Sequence, residues 1–237
     1  MVITSKAIVL SAIKYSDYDL IVKCYTEQGI RSYLIKRIYK QKKGKITPAF
    51  FLPLTQLEIT ANYNLNRTLY FINEAKINYA YYSISSNIAK QSIAIFLSEV
   101  LSNALREEEE NEKLFSYLET ALIWLDTHEK TSNFHLLFLM NLTKFLGFYP
   151  EKNQDLLYFD LEEGKFTNKT SSNNYITGEK LRSFKLLLGT NFDVLNELNF
   201  NKIIRQDLLE ILIQYFELHL PGFRKPKSLE VLKTVFN

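Results

Sequence analysis

"LIVKCYTEQGIRSYLIKRI", residues 20–38, decides how the first third of the chain folds. Leu20 to Thr26 is rich in β-branched and aromatic side chains, which suit a pleated strand. "EQG" (27–29) supplies a turn, with Gly29 free to take positive φ. "IRSYLIKRI" (30–38) then alternates. Arg31, Tyr33, Ile35 and Arg37 share one face; Ser32, Leu34, Lys36 and Ile38 share the other.

Working outward, "KAIVLSAIK" (6–14) is a further short apolar run between lysines. "YSDYD" (15–19) is turn chemistry, because Ser and Asp side chains bond their own backbone. "FLPLTQLEIT" (51–60) and "RTLYFINEAKI" (67–77) give two more strands, with Pro53 suited to an edge or a strand start. Five short strands in about 75 residues predict a small barrel, and five is the strand count of an OB-fold.

From about residue 81 the period becomes helical. "ISSNIAKQSIAIFLSEVLSNAL" (84–105), "LFSYLETALIWLDTH" (114–128) and "SNFHLLFLMNLTKFLGFYP" (132–150) read as three helices. The third is apolar almost all round, which places it centrally in a helical core. "LLYFDLEEGKF" then reads as a β-hairpin and "TNKTSSNN" as an exposed polar loop. Helices resume at 177–189, with Thr177 as cap, at 201–222, closed by Pro221-Gly222, and at 228–236. The expected fold class is therefore α+β. An N-terminal five-stranded OB-fold barrel occupies residues 1–80. An α-helical domain occupies 81–237, with the hairpin and loop inserted at about 150–176.

The 237 residues suffice to bury a core, and 46% hydrophobic with 23% charged is ordinary globular usage. Cys24 is the one cysteine, so neither a disulfide within the chain nor a thiolate zinc site can form. No run reaches the roughly 18 apolar residues of a membrane span. "MVITSKAIVLSAIKY" lacks a cleavage pattern, and the cytoplasm is the expected compartment.

The net charge of +3 hides a split. Residues 1–80 hold twelve Lys and Arg against five acids, and the remainder holds 17 against 21. A polyanion, if bound, belongs to the first third. The densest basic stretch, "IKRIYKQKKGK" (35–45), carries six positive charges and no acid. Phosphate binding needs several cations at once, and unpaired bases stack on aromatic rings. The expected nucleic-acid-binding set is Arg31, Tyr33, Lys36, Arg37, Tyr39, Lys40, Lys42, Lys43 and Lys45. The two tyrosines are open to either reading, stacking ring or core; Tyr33 shares a strand face with basic residues, which favours exposure. A second basic cluster, Arg224, Lys225 and Lys227, contacts phosphate or compensates a helix C-terminus, and the residues leave both open.

Enzymatic sites find little support. His128, His135 and His219 belong to no HExxH pattern, and GxSxG and P-loop motifs are absent. They are expected to be surface or capping groups, and no catalytic residue, metal or cofactor is assigned. The acidic run 107–110 reads as a solvated helix terminus, since four consecutive residues point around a helix.

The chain resembles the RecO family of bacterial recombination mediators and DNA-repair proteins. The N-terminal likeness lies in "AIVL" (Ala7 to Leu10), "YSDYD", "TEQG" (Thr26 to Gly29) and "IKR" (Ile35 to Arg37) running into the lysine-rich loop. The C-terminal likeness lies in "YFELHLPGFRKPKSLEVL" (Tyr215 to Leu232). The resemblance implies an OB-fold followed by a helical domain. It implies binding of single- and double-stranded DNA, strand annealing, and loading of RecA together with RecR and often RecF. It also implies recognition of the acidic tail of single-strand-binding protein, mainly by the helical domain, and a nucleoid-associated location. Two departures stand out. Many members carry a four-cysteine zinc module where this chain, at Tyr149 to Ile176, has no cysteine. Members often have a small residue or glycine where this chain has Arg37. The alternatives are a protein-partner adaptor with incidental barrel charge, an RNA-binding OB-fold protein, and a metal-dependent nuclease. The last is opposed by the lack of a convergent carboxylate pair.

Overall fold

The computed structural model describes residues 1–40, 46–63, 68–105, 110–151, 156–169 and 173–236. The chain divides into two compact units, Met1–Asp126 with Pro226–Ser228, and Thr127–Lys225 with Leu229–Asn237.

In the first unit, strands β1 (Val2–Lys14), β2 (Leu20–Thr26), β3 (Gly29–Ile35), β4 (Gln56–Asn62) and β5 (Leu69–Tyr79) close into a barrel in the order β1-β2-β3-β5-β4. All neighbouring pairs are antiparallel except β3 with β5. Closure depends on the length of β1. Its first half, Val2 to Ile8, pairs with β4, and its second half, Ala7 to Lys14, pairs with β2. A register shift between Val9 and Ser11 marks where the strand bends from one neighbour to the other. The sequence suggests a start at residue 6. The extra residues are recruited by β4, where Thr4 and Thr60 hydroxyls bond at 2.8 Å.

Two other expected boundaries move for tertiary reasons. β3 stops at Ile35 rather than residue 38, and Ile38 turns back to pack with the barrel core. The fourth strand begins at Gln56 rather than 51, because Pro48–Phe51 forms a short 3-10 turn. Leu54 then takes φ 61°, a left-handed conformation unusual for leucine. It is fully buried, and its N–H donates to the Val9 carbonyl at 2.8 Å.

The barrel core is built from inward residues of every strand, among them Val9, Val22, Cys24, Tyr33, Leu57, Ile59 and Ala61. Burying each larger aliphatic side chain stabilises by about 1.5–3 kcal/mol. Burial also pushes the Cys24 thiol up, which leaves it an inert, protonated core group.

Helices α1 (Ile88–Ala104) and α2 (Glu112–Thr127) belong to the same unit. α1 starts at residue 88 rather than 84 because residues 82–84 are wound around Asp126. The Asp126 carboxylate accepts from the backbone N–H of Tyr82 and Ser83 at 2.8 Å each and of Ile84 at 3.0 Å. Lys90, buried, donates to the Asp126 carbonyl at 2.8 Å and to the Ser83 hydroxyl at 2.6 Å. The Asn87 side chain caps α1, accepting from the Lys90 N–H at 3.1 Å.

The second unit contains α3 (Phe134–Phe145), β6 (Tyr158–Asp160), β7 (Lys165–Thr167), β8 (Tyr175–Thr177), α4 (Gly178–Leu188), α5 (Lys202–His219) and α6 (Leu229–Val235). Five consecutive α3 residues, Leu136 to Met140, are buried, as its all-round apolar character predicts. The expected hairpin is β6–β7. A third strand, β8, pairs with β6, so the inserted module is a three-stranded sheet in the order β7-β6-β8. His135 corrects the expectation of surface or capping histidines. It lies in the core, and burial and then the Arg205 charge push its pKa down to about 3, so it is neutral.

Candidate nucleic-acid interface

The basic stretch meets a second segment at one end of the barrel. The loop after β1 folds on itself: the Ser16 hydroxyl accepts from the Asp19 N–H at 3.2 Å, and the Tyr15 N–H reaches the Asp19 carbonyl at 3.0 Å. This loop holds the turn after β3. Asp19 Oδ1 accepts from the Arg37 N–H at 2.8 Å, and the Tyr18 carbonyl accepts from the Tyr39 N–H at 3.2 Å. Arg37 has φ 57°, the left-handed region where glycine is favoured. The turn is thus formed with arginine in place, and the Asp19 bond holds it there.

This geometry predicts opposite stability effects. Asp19→Ala is expected to cost about 1 kcal/mol through the lost bond to the Arg37 N–H. Arg37→Gly is expected to be neutral or to stabilise by up to about 1 kcal/mol, because the left-handed penalty of a Cβ disappears. Urea midpoints of the two variants, moving in different directions, check this.

Docked this way, the two segments form a platform of exposed rings and cations. Tyr15, Tyr18 and Tyr39 are 65%, 47% and 46% exposed. Lys40 Nζ lies 5.4 Å from the Tyr18 ring centroid, and Lys14 Nζ lies 5.9 Å from that of Tyr39. Such contacts hold a ring and a charge side by side, which is what a stacked base and its phosphate require. Among the described residues, Lys14, Lys36, Arg37 and Lys40 have no acidic side chain within ion-pair distance. Lys6 and Lys76, by contrast, pair with Glu119 and Glu58.

Of the residues expected from sequence, the structure brings Arg37, Tyr39 and Lys40 together on this platform. Lys36 points elsewhere, its Nζ lying 5.0 Å over the Phe71 ring of β5. Arg31 is half-buried, with its guanidinium donating to the Ile30 carbonyl at 2.8 Å. Lys42, Lys43 and Lys45 lie outside the described residues, as do residues 107–109 of the acidic run. Arg224, Lys225 and Lys227 are exposed, between α5 and α6.

Tyr33 is a correction. It has no exposed surface, and its hydroxyl bonds that of Tyr63 at 2.6 Å. Its face is the barrel interior, fixed by its pairing with Val22 on β2 and Tyr70 on β5. Burial, with the Tyr63 neighbour, pushes its phenol up, so it stays a neutral hydrogen-bonding core group. Sequence reasoning missed Tyr15, Tyr18 and Lys14. The signal was the pair of tyrosines in "YSDYD", read there only as a turn.

The inserted three-stranded sheet does not fit the zinc that resemblance attaches to this region. It has no cysteine, and among the described residues no three His, Cys, Asp or Glu side chains are grouped to hold a metal. Aromatic packing and hydrogen bonds tie the sheet to α5 instead. Phe159 of β6 is fully buried against Phe166, Phe184 and Tyr215. The Tyr215 hydroxyl donates to the Phe148 carbonyl at 2.8 Å. His219 Nε2 lies 2.8 Å from the Leu161 carbonyl, and its ring stacks on Phe148 at 5.2 Å.

A closed five-stranded barrel in this strand order, continued into helices, defines an OB-fold protein with an appended helical region. The family model described as recombination protein O N terminal matches residues 1–81, and that described as recombination protein O C terminal matches residues 85–230. A protein of Christiangramia forsetii named DNA repair protein RecO is 46% identical over the full length of both chains. Its namesake in Flavobacterium psychrophilum is 45% identical over the full length, and that of Bacteroides fragilis is 37% identical over 97% of each chain. The chain belongs to the RecO family of DNA repair proteins.

Proposed function

We propose that this chain is a non-enzymatic recombination mediator whose barrel binds single- and double-stranded DNA through phosphates and stacked bases, without reading sequence. The observation that supports this most is the platform of Tyr15, Tyr18 and Tyr39 with the side chains of Lys14, Arg37 and Lys40, none of which is ion-paired among the described residues. Cations there lower the repulsion between two strands, which is the physical requirement for annealing. In this reading residues 1–80 carry the nucleic acid and residues 81–237 recruit protein partners. Those partners are RecR, with RecF in some settings, and the acidic tail of single-strand-binding protein, with RecA loaded as the outcome. The protein acts in the cytoplasm at the nucleoid. Among the described residues no helix is long and apolar enough to cross a membrane.

A salt titration with a fluorescent single-stranded oligonucleotide tests this. Changing Lys40, Lys42, Lys43 and Lys45 together to Ala is expected to lower the slope of log K against log salt by about 0.7 per lost phosphate contact. Changing Tyr18 and Tyr39 to Ala is expected to weaken binding by about 1–3 kcal/mol per stacked base and to leave that slope unchanged. An unchanged slope in the lysine variant removes the loop from the interface. Unchanged affinity in the tyrosine variant removes the platform.

A further inference from the structure

The four-cysteine zinc module of many family members falls where this chain forms β6, β7 and β8. Such a metal joins two half-sites, each a pair of ligands on one turn. On the turn after β6, Asp160 and Glu163 stand at C-x-x-C spacing and Gly164 follows at φ 67°. The two carboxylates do not converge as ligands, because Glu163 is exposed and Asp160 is buried. Asp160 Oδ1 accepts from the N–H of Glu162 at 2.9 Å and of Glu163 at 3.1 Å, and the Asp160 carbonyl accepts from the Gly164 N–H at 2.9 Å. The aspartate therefore closes the turn from inside, bonding its own local backbone.

The link from this turn to the rest of the unit comes from Asn174, just before β8. Its carbonyl accepts from the Leu161 N–H at 2.8 Å. Its Nδ2 donates to Glu162 Oε1 at 2.6 Å, and its Oδ1 accepts from Gln214 Nε2 of α5 at 2.9 Å. One residue thus joins the β6 turn, the start of β8 and α5, which is the part a bridging metal plays. Strands of three residues offer few ladder bonds, so the sheet depends on such ties.

We propose that Asp160 and Asn174 together replace the metal in this chain, Asp160 by closing the turn and Asn174 by bridging it to β8 and α5. The module then holds its shape by hydrogen bonds and aromatic packing, and the second unit needs neither zinc nor reduced thiols to fold. A thiolate site fails when a chelator removes its metal or when its sulfurs are oxidised. Neither event has a target here, since the one cysteine, Cys24, is buried in the barrel core of the first unit. The fold of this chain is therefore indifferent to zinc supply and to thiol oxidants.

The test uses the full chain, produced in zinc-supplemented medium. Elemental analysis is expected to find far less than one zinc per chain. The urea midpoint is expected to be the same with and without EDTA, and the same after treatment with the thiol oxidant diamide and its removal. Stoichiometric zinc, or a midpoint that falls with either reagent, overturns the proposal. Asn174→Asp sets a second carboxylate against Glu162, and is expected to speed amide exchange of residues 158–161 and 175–177 about ten-fold through the lost bond and the repulsion. Adding Glu162→Gln restores a donor opposite the new carboxylate, and is expected to return exchange to the original rate. An Asn174→Asp variant that exchanges as the original chain does, or a double variant that is not rescued, also overturns it.

Discussion

Asp126→Ala is expected to destabilise the first unit by about 3–5 kcal/mol, because several hydrogen bonds to one carboxylate are lost at once. The carboxylate accepts three backbone N–H groups, from Tyr82, Ser83 and Ile84, and the Ser83 hydroxyl at 3.2 Å. Alanine leaves these donors without a protein acceptor, and of the three residues Ile84 is buried, whereas Tyr82 is exposed to water. Asp126→Asn keeps the shape and one acceptor oxygen, and is expected to cost less, about 1–3 kcal/mol. Urea unfolding checks both, with the midpoint falling and the slope unchanged. The acid dependence has a defined sign. Burial raises the Asp126 pKa, but the backbone bonds and then the Ser83 hydroxyl outweigh it and hold the carboxyl below its ordinary value. A carboxyl depressed on folding contributes stability above the unfolded pKa, near 3.9 for Asp, and loses it as pH falls through the folded value. The Asp126→Ala variant is expected to lack that component of the acid loss.

Gly164→Ala is the second large effect, about 3 kcal/mol on the second unit. Gly164 sits at φ +67°, where a Cβ costs about 1–2 kcal/mol. An added Cβ would also lie 2.6 Å from the Tyr215 hydroxyl oxygen. Relief requires moving Tyr215, which breaks its part-buried bond to the Phe148 carbonyl at a further cost of about 1 kcal/mol. Burial pushes the Tyr215 phenol up, so it remains a donor across the ordinary pH range. A double-mutant cycle separates the two causes. In a Tyr215→Phe background the clashing oxygen is gone, and Gly164→Ala is expected to cost only the backbone part. The two substitutions should therefore be less than additive in thermal or urea unfolding.

Much of the fold was legible because it rests on local chemistry. The run of β2 and β3 with Gly29 between them, at φ 86°, announced a hairpin through strand composition and a turn residue. α5 was legible from its helical period and the Pro221-Gly222 stop; its cap, the Asn201 side chain accepting from the Ile204 N–H at 2.9 Å, came only with the structure. Boundaries set by distant partners were not legible. The first residues of β1 are strand because β4 lies beside them, 56 residues away at the Thr4–Thr60 contact. Leu54 is held in a left-handed conformation by burial and by Val9, and nothing in "FLPLTQ" announces it.

The site divides the same way. By itself, the sequence determined the charge split, the barrel-then-helix order, the basic stretch and the family resemblance, all of which follow from composition and near-neighbour pattern. It also excluded a cysteine-held metal, because a side chain that is absent cannot ligate. Only the tertiary structure decided which members of the basic stretch lie together. Alternation identifies two strand faces but not which one a closed barrel turns inward, so Tyr33 became core. Likewise, only folding places "YSDYD" against the turn at Arg37, because Asp19 and the Arg37 N–H are 18 residues apart and meet through the β1–β2–β3 register.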